Sequence, residues 1–466
     1  MIGPHFVYDM KSDEFGWPVK AKARLVARGD QQRELIDFGE LYAPTVDVSS
    51  VRLLVAYACE LDLPIHHFDI DQAFIRADLS ETVFIRMPPG CGVLSGKVVQ
   101  LNKSLYGLRQ ASRQWFSLLR KLLLVLGFEQ CKADSCVFRL IEGGKVAVVL
   151  VFHVDDIFVV GETERCDRFA QDLNKSVPTK NLGELRWYSG CFYERDREAG
   201  RIKISQQTYV EELAGQYGVR HCGGIPLRAT CKLWDFDPEE PDVDHPFREL
   251  IGSLSWIARL TRPDILNAVR AVARYCSSPK MVHWKAALGI LGYTVRTKTF
   301  GISFQRGTVE GFSLVAFCDA DYASRAADRR STSGGVIMCA GGPVFCFSKT
   351  QRCVTLSTTE AEYVAMGDVV KELLFIRQVW GVMLPGVRTP CIPVFEDNEG
   401  AIQLAKHPIS NSNSKHIDVR HHFLRRLVEE EESNWSMCRR RTNTPIFSQR
   451  HFPWWRRSSS TAEHLS

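Results

Sequence analysis

Two sets of carboxylates stand out by residue type and spacing. The first is Asp155 and Asp156, preceded by His153 and Val154, with a partner at Asp69; the second is Asp319, Glu362, Asp397 and Asp418. Carboxylate oxygens are the ligands that hard divalent cations take. Two such cations about 4 Å apart activate an attacking oxygen and neutralise a departing one, the demand of phosphodiester chemistry. A chain with two such sets is expected to make and to cut phosphodiester bonds.

The elements around these acids are readable from pattern. Ser49 to Leu61 has helical periodicity, with Val51, Leu54, Val55 and Ala58 on one face. Ile65 to Asp69 reads as a strand that places Asp69 at its end, before a helical stretch from Gln72 to Leu79. Gln110 to Phe128 is an apolar helix closed by Gly127. Lys145 to Gly161 reads as a β-hairpin, because two valine-rich halves flank a polar centre, and Asp155 and Asp156 stand at its tip. Asp69 and Asp155 can then meet across neighbouring strands, with Asp156 in support. In the second half, Phe312 to Cys318 is an apolar strand expected to end in Asp319. Strands at 334–339, 344–347 and 392–396 and a helix from Thr358 to Leu384 follow. Acids at strand ends in an alternating α/β pattern define a compact nuclease-like domain. Asp321 shares a face with Asp319, and Glu360 sits close to Glu362, so both remain alternatives. Asp319 is preferred because it directly ends the apolar strand.

Composition sets broad limits. With 466 residues, 45% of them hydrophobic, two or three domains are expected. A formal charge of +5 suits a nucleic-acid partner without requiring one. The 15 cysteines form no C-x-x-C pair, which points to reduced thiols in a cytosolic or nuclear protein, not a secreted one, and away from zinc. The longest apolar run, Val146 to Val160, is interrupted by His153, Asp155 and Asp156, so no membrane association is expected. A cluster of prolines between Gly223 and Pro246 marks a domain boundary.

Four stretches carry a family resemblance: Lys22-Ala-Arg-Leu-Val-Ala-Arg-Gly29, Phe68-Asp-Ile-Asp-Gln-Ala-Phe74, Ser104-Leu-Tyr-Gly-Leu-Arg-Gln-Ala111 and His153-Val-Asp-Asp156. Their order and spacing resemble a copia-type retrotransposon reverse transcriptase. The resemblance continues through Leu182-Gly-Glu-Leu185 and Thr261-Arg-Pro-Asp264. Cys318-Asp-Ala-Asp-Tyr322, Ser357-Thr-Thr-Glu-Ala-Glu-Tyr363, Phe395-Glu-Asp-Asn398 and Lys415-His-Ile-Asp418 then resemble the acidic motifs of the ribonuclease H domain that follows the polymerase in that family. It implies an α+β fold: a right-hand polymerase of fingers, palm and thumb, a connecting segment, and a ribonuclease H-like α/β domain. The boundaries are 1–225 for fingers, palm and the start of the thumb, 226–310 for linker and thumb or connection, and 311–432 for the nuclease.

Residue by residue, the resemblance makes Asp69 and Asp155 the polymerase metal ligands, with Asp156 beside them. It makes Asp319, Glu362, Asp397 and Asp418 the nuclease ligands, Glu362 being the glutamate that aligns. His422, four residues past Asp418, becomes a proton carrier. Phe74 takes the place of an aromatic that excludes a 2′-hydroxyl. Gly107 and Gln110 fall in the segment that meets template and nucleotide, and Lys22, Arg24 and Arg28 are fingers cations. The implied cofactor is Mg²⁺ or Mn²⁺, two ions per site. The implied partners are an RNA template, a DNA primer, dNTPs and an RNA–DNA hybrid, in the cytoplasm or a virus-like particle, with the nucleus also open. His153 departs from the Tyr of the family's turn. A non-catalytic remnant that only binds nucleic acid is the rival reading, and an RNA-dependent RNA polymerase is disfavoured by Phe74 and the attached nuclease.

Both ends depart from the family. Its fingers start several dozen residues before the counterpart of Phe6, so a truncated N-terminus is expected. Met437 to Pro453 can be encoded so that regrouping the codons one nucleotide earlier reads V-P-T-E-N-Q-H-A-D-I-F-T-K-A-L-P, a string like the family's tail. Residues 433–466 are therefore expected to be a frameshifted, non-native tail, the slip lying in or near Glu429 to Glu432.

Overall fold

The computed structural model describes residues 2–12, 17–220, 223–228, 230–307, 313–324, 328–385 and 392–406, with the backbone alone at 11, 12, 406 and 437–439. The chain forms two compact units, Met1–Asp47 with Leu63–Leu185, and Val48–Asp62 with Arg186–Ser466. The second unit thus takes one helix, α1 (Val48–Glu60), from within the sequence of the first.

In the first unit, β1 (Pro4–Ser12) and β2 (Pro18–Ala27) form an antiparallel ribbon. Strand alternation puts Lys20, Lys22 and Arg24 on one face and Phe6, Tyr8 and Met10 on the other. After β3 (Ile65–Ile70) comes a single 3₁₀ turn, Ala73–Arg76, where a helix from Gln72 to Leu79 was expected. Gln72 adopts a left-handed φ of +58°, and the Ala77 carbonyl accepts the Ser104 N–H. Backbone pairing then goes to a second ribbon, β4 (Asp78–Arg86) with β5 (Val98–Lys103), and not to helix.

Helix α2 (Ala111–Val125) buries Ala111, Trp115, Leu119 and Leu123 at fourfold spacing and stops before Gly127, whose φ of +88° suits a helix end. Then follow β6 (Glu129–Gln130), β7 (Val137–Glu142), β8 (Lys145–His153), β9 (Asp156–Gly161), α3 (Thr163–Asn174) and β10 (Thr179–Glu184). They build with β3 an antiparallel sheet of order β10-β3-β9-β8-β7-β6. Phe68, Ile70, Leu150, Phe152, Ile157 and Val159 pack with Trp115, Leu119, Phe169 and Leu173 in one core. The run Val148 to Phe152 is buried at every residue, which explains its lack of alternation.

The second unit contains a sheet of order β11-β12-β13-β14, made of β11 (Trp187–Tyr188), β12 (Cys191–Asp196), β13 (Arg201–Ser205) and β14 (Ile302–Gln305). Helices α4 (Gln207–Gln216), α5 (Phe247–Leu260), α6 (Leu266–Ala273) and α7 (Met281–Arg296) share a core around Leu213, Leu254, Ile257 and Ile290. The other sheet has the order β17-β16-β15-β18-β19, from β15 (Leu314–Asp321), β16 (Thr332–Cys339), β17 (Gly342–Thr350), β18 (Val394–Glu396) and β19 (Met437–Arg439), with α8 (Thr358–Met383) and α9 (Glu399–Lys406). The first three strands are antiparallel, and β18 and β19 run parallel to β15. β15 does not stop at Asp319: Asp319, Ala320 and Asp321 still pair with Gly334, Ser333 and Thr332. β19 lies within the segment expected to be non-native, and its backbone pairs with β18.

Helix α1 is buried at every residue from Ser49 to Cys59. Its one cation, Arg52, is 5% exposed and donates to the carbonyls of Arg259 and Leu260 at 2.6 and 2.9 Å and of Val344 at 3.3 Å. The first two are the last carbonyls of α5, where the helix dipole leaves partial negative charge. Arg52→Met keeps the aliphatic stem but strips these acceptors, so the second unit should lose about 2–4 kcal/mol in denaturant unfolding. An unchanged midpoint would show that α1 is held by apolar packing alone.

Candidate functional site

The first acidic group sits at the joined ends of β3, β8 and β9. Asp69 pairs across the sheet with Asp156, which pairs in turn with His153, so Val154 and Asp155 form a two-residue hairpin loop. The Ile70 N–H donates to the Asp155 carbonyl at 3.0 Å, tying the loop to β3. Asp69 and Asp156 share the sheet face opposite Phe68 and Ile157, which alternation requires.

Asp155 carries the electrostatic cost of this arrangement. Burial, then Asp69 and Asp156, push its carboxyl up to about 6, while Lys22 and Arg24 of β2 pull it the other way. Its Oδ1 is buried and has no hydrogen-bond partner. A buried, unpaired carboxylate oxygen among like charges fits a cation ligand, since such an atom is otherwise strongly disfavoured. Asp156 is held differently, with its Oδ1 2.7 Å from Nε2 of the buried His67.

The other expected residues of this unit divide. Lys22 and Arg24 face the Asp155 field, and Arg24 also pairs with Asp9 at 3.8 Å. Arg28 instead turns one edge of its guanidinium to Asp30, with Nε and Nη2 donating at 3.3 and 2.7 Å. Phe74 meets Tyr106 edge-on, with ring centroids 5.1 Å apart. Gly107 has a φ of +86°, and a Cβ there would lie 2.1 Å from the Ala27 carbonyl, so glycine lets this turn dock on β2. Gln110 is fully buried, with its amide accepting from Gln32 and donating to the Asp37 carbonyl. In this conformation it anchors the loop from within and offers no exposed group to a nucleotide.

The second group lies at β15, α8 and the end of β18. One carboxylate oxygen from each of Asp319, Glu362 and Asp397 comes within 4.8 Å of the others. Neither Asp321 nor Glu360 belongs to this group. Glu360 serves the start of α8 instead: its N–H donates to Ser357 Oγ and its carboxylate accepts the Leu356 N–H, a variant of the capping box. Burial, then Glu396, Asp319 and Asp397, push the Glu362 carboxyl far up, and its Oε2 is buried without a partner. Asp418 and His422 lie outside the described residues.

Three residues near these groups escaped the sequence reading. His67 could have been found, because a residue two before Asp69 must share its face. Burial, then the charges of Asp155 and Asp69, raise the Tyr106 phenol above the ordinary range; it was visible only as part of a longer stretch. Glu396 is 1% exposed and accepts from the Asn398 N–H and the Cys318 thiol, at 3.0 and 3.2 Å. In sequence it is hidden beside Asp397.

No helix among the described residues is long and apolar enough to cross a membrane. Residues 1–228 match the family described as reverse transcriptase (RNA-dependent DNA polymerase). The chain is 32% identical over 437 residues to the retrovirus-related Pol polyprotein from transposon TNT 1-94 of Nicotiana tabacum, covering 91% of this chain and 32% of that protein. Its identity to the corresponding polyprotein from transposon RE1 of Arabidopsis thaliana is 31% over 435 residues, 92% of this chain and 29% of the relative. A putative Ty5-1 transposon protein of Saccharomyces cerevisiae aligns along its whole length, 27% identical over 318 residues and 66% of this chain. The chain therefore spans about a third of the length of the two plant polyproteins it matches. With the joined strand ends bearing Asp69, Asp155 and Asp156 inside the matched region, the chain belongs to the copia-type Pol polyproteins and contains their reverse transcriptase domain.

Proposed function

We propose that the protein is an RNA-directed DNA polymerase whose second unit degrades the RNA of the resulting hybrid. The observation that carries the first half is the buried, unpartnered Asp155 Oδ1 beside Asp69 and Asp156, within the reverse transcriptase domain. For the second half, support comes from the Asp319, Glu362 and Asp397 group on a sheet whose three antiparallel strands are followed by two parallel ones.

Asp69 and Asp155 would hold divalent cations at the first centre, with Asp156 kept in place by His67. At the second, Asp319, Glu362 and Asp397 would do so. Magnesium or manganese ions, when bound, supply Lewis-acid activation of the attacking oxygen and charge neutralisation of the leaving one. The chain's own residues do the rest. Lys22 and Arg24 place positive charge on the side where a triphosphate would approach. Phe74 and Tyr106 form an aromatic wall near the carboxylates, against which the bulk of a 2′-hydroxyl would press. The partners are an RNA template, a DNA primer, dNTPs and the hybrid they produce.

Primer extension on an RNA template and cleavage of a labelled hybrid separate the two centres. Asp155→Asn should abolish extension and spare cleavage, and Asp397→Asn should do the reverse. Loss of both activities in either variant would contradict two independent centres.

The raised Asp155 pKa gives a stability signature without any metal. Because its folded value, about 6, exceeds the ordinary 3.8, the folded state holds the proton more tightly. That contribution is present at low pH and is lost as pH rises through the folded value. In EDTA, Asp155→Asn should gain stability relative to the parent by about 1–2 kcal/mol between roughly pH 4 and pH 7, after discounting for solvent screening. Parallel melting curves across that range would refute the burial of this charge.

His67 offers a graded test. His67→Leu removes the partner of Asp156 and should slow extension by roughly tenfold or more, the worth of a hydrogen bond to a charged group. His67→Gln, which keeps a donor at similar reach, should stay within about threefold of the parent on the same basis. Equal losses in the two variants would mean that only the ring's packing matters.

A further inference from the structure

The loop that carries Asp155 is strained, and one side chain outside the acidic group is placed to hold it. His153 pairs with Asp156, so only Val154 and Asp155 make the turn. Val154 has a φ of +56°, whereas Asp155 is not among the residues of positive φ. A two-residue hairpin loop with positive φ at its first position alone follows the type II′ pattern, where glycine normally stands. Valine, branched at Cβ, is among the residues least tolerant of that region. Strain of this kind persists only where surrounding structure enforces it.

The enforcing contact comes from α2. Trp115 is 1% exposed, and its Nε1–H donates to the Val154 carbonyl at 2.7 Å. That oxygen belongs to the peptide bond joining Val154 to Asp155, so fixing it fixes the direction in which the chain enters Asp155. The Ile70 N–H holds the Asp155 carbonyl on the other side. The two hydrogen bonds bracket the one residue whose carboxylate oxygen Oδ1 has no partner of its own. With nothing gripping that oxygen, its position must come from the backbone. The rest of Trp115 is locked in the core with Leu119 and Phe152.

We infer that Trp115 is a positioning residue of the polymerase centre: its indole N–H stabilises the strained Val154–Asp155 peptide and so aims the Asp155 carboxylate. This rests on the polymerase reading above. The strain and the hydrogen bond are then coupled. Without the indole donor the tip relaxes toward unstrained turns that displace Asp155. With glycine at 154 the native turn carries little strain, and the donor matters less.

A double-mutant cycle of Trp115→Phe and Val154→Gly tests this, read by dNTP incorporation on an RNA–DNA primer–template and by Mn²⁺ titration in an Asp397→Asn background. The Mn²⁺ readout does not depend on turnover. Trp115→Phe should lower the incorporation kcat and the Mn²⁺ affinity of the first centre by about tenfold each, the worth of one such hydrogen bond. In the Val154→Gly background the same change should cost less than about threefold. An equal loss in both backgrounds, or no loss in either, overturns the inference and leaves Trp115 a core aromatic. If Trp115→Phe does not fold, 3-benzothienylalanine at 115 keeps the indole shape and removes only the N–H, and the same cycle is read with it. A parent protein that binds Mn²⁺ but extends no primer refutes the polymerase reading, while the Mn²⁺ cycle still decides the role of Trp115. A parent that does neither refutes both.

Discussion

Like charges held close together in a partly dry environment are the constraint on which the molecule is built. Carboxylates repel, and burial removes the water that would screen them. The scaffold must therefore place them by forces that do not depend on their own comfort. In the first unit that force is the antiparallel sheet, whose register sets Asp69 opposite Asp156 and leaves Asp155 in a two-residue loop. In the second it is a strand, the first turns of α8 and the end of a parallel strand converging on one spot.

The two centres solve the problem with different partners. Asp155 is offset by distant cations, Lys22 and Arg24, which lower the cost of its charge without bonding to Oδ1. Asp156 has His67 in direct contact. Glu362 is offset by a backbone hydrogen bond from Ala320 but has no partner for Oε2, and burial, then its neighbours Glu396, Asp319 and Asp397, set the cost. Glu396 is better satisfied, by a backbone N–H and a thiol. A fourth carboxylate so near the group means that the second centre concentrates more negative charge than its three converging oxygens imply.

How much of this was legible in the sequence depends on the range of the interaction. The hairpin at 145–161, the strand ending near Asp69 and the helices at 49–61, 110–128 and 358–384 are local patterns, and their elements lie within a few residues of expectation. The stretch after Gln72 misled because its composition suits a helix, while its backbone is claimed by Ser104 and the ribbon beyond. Arg28 and Gln110 are polar residues in a functional stretch, and nothing local reveals that one is spent on Asp30 and the other buried against Gln32. Those outcomes depend on partners that only folding brings near. The membership of α1 in the second unit is the extreme case, since its hydrogen-bond partners include groups 141, 207 and 292 positions away.

Helix α1 leaves the ribosome well before the strands that cover it, with every residue from Ser49 to Cys59 destined for burial. The strand that supplies Val344 to Arg52 emerges almost three hundred residues later. At about 5–20 residues per second, the apolar helix waits on the order of tens of seconds without its native neighbours. Meanwhile the first unit can complete its own contacts, because Asp47 and Leu63 are the ends of an insertion in its sequence. Synthesis thus leaves an adhesive segment looped out of a nearly finished domain, exposed to chaperones or to a sister chain on the same message.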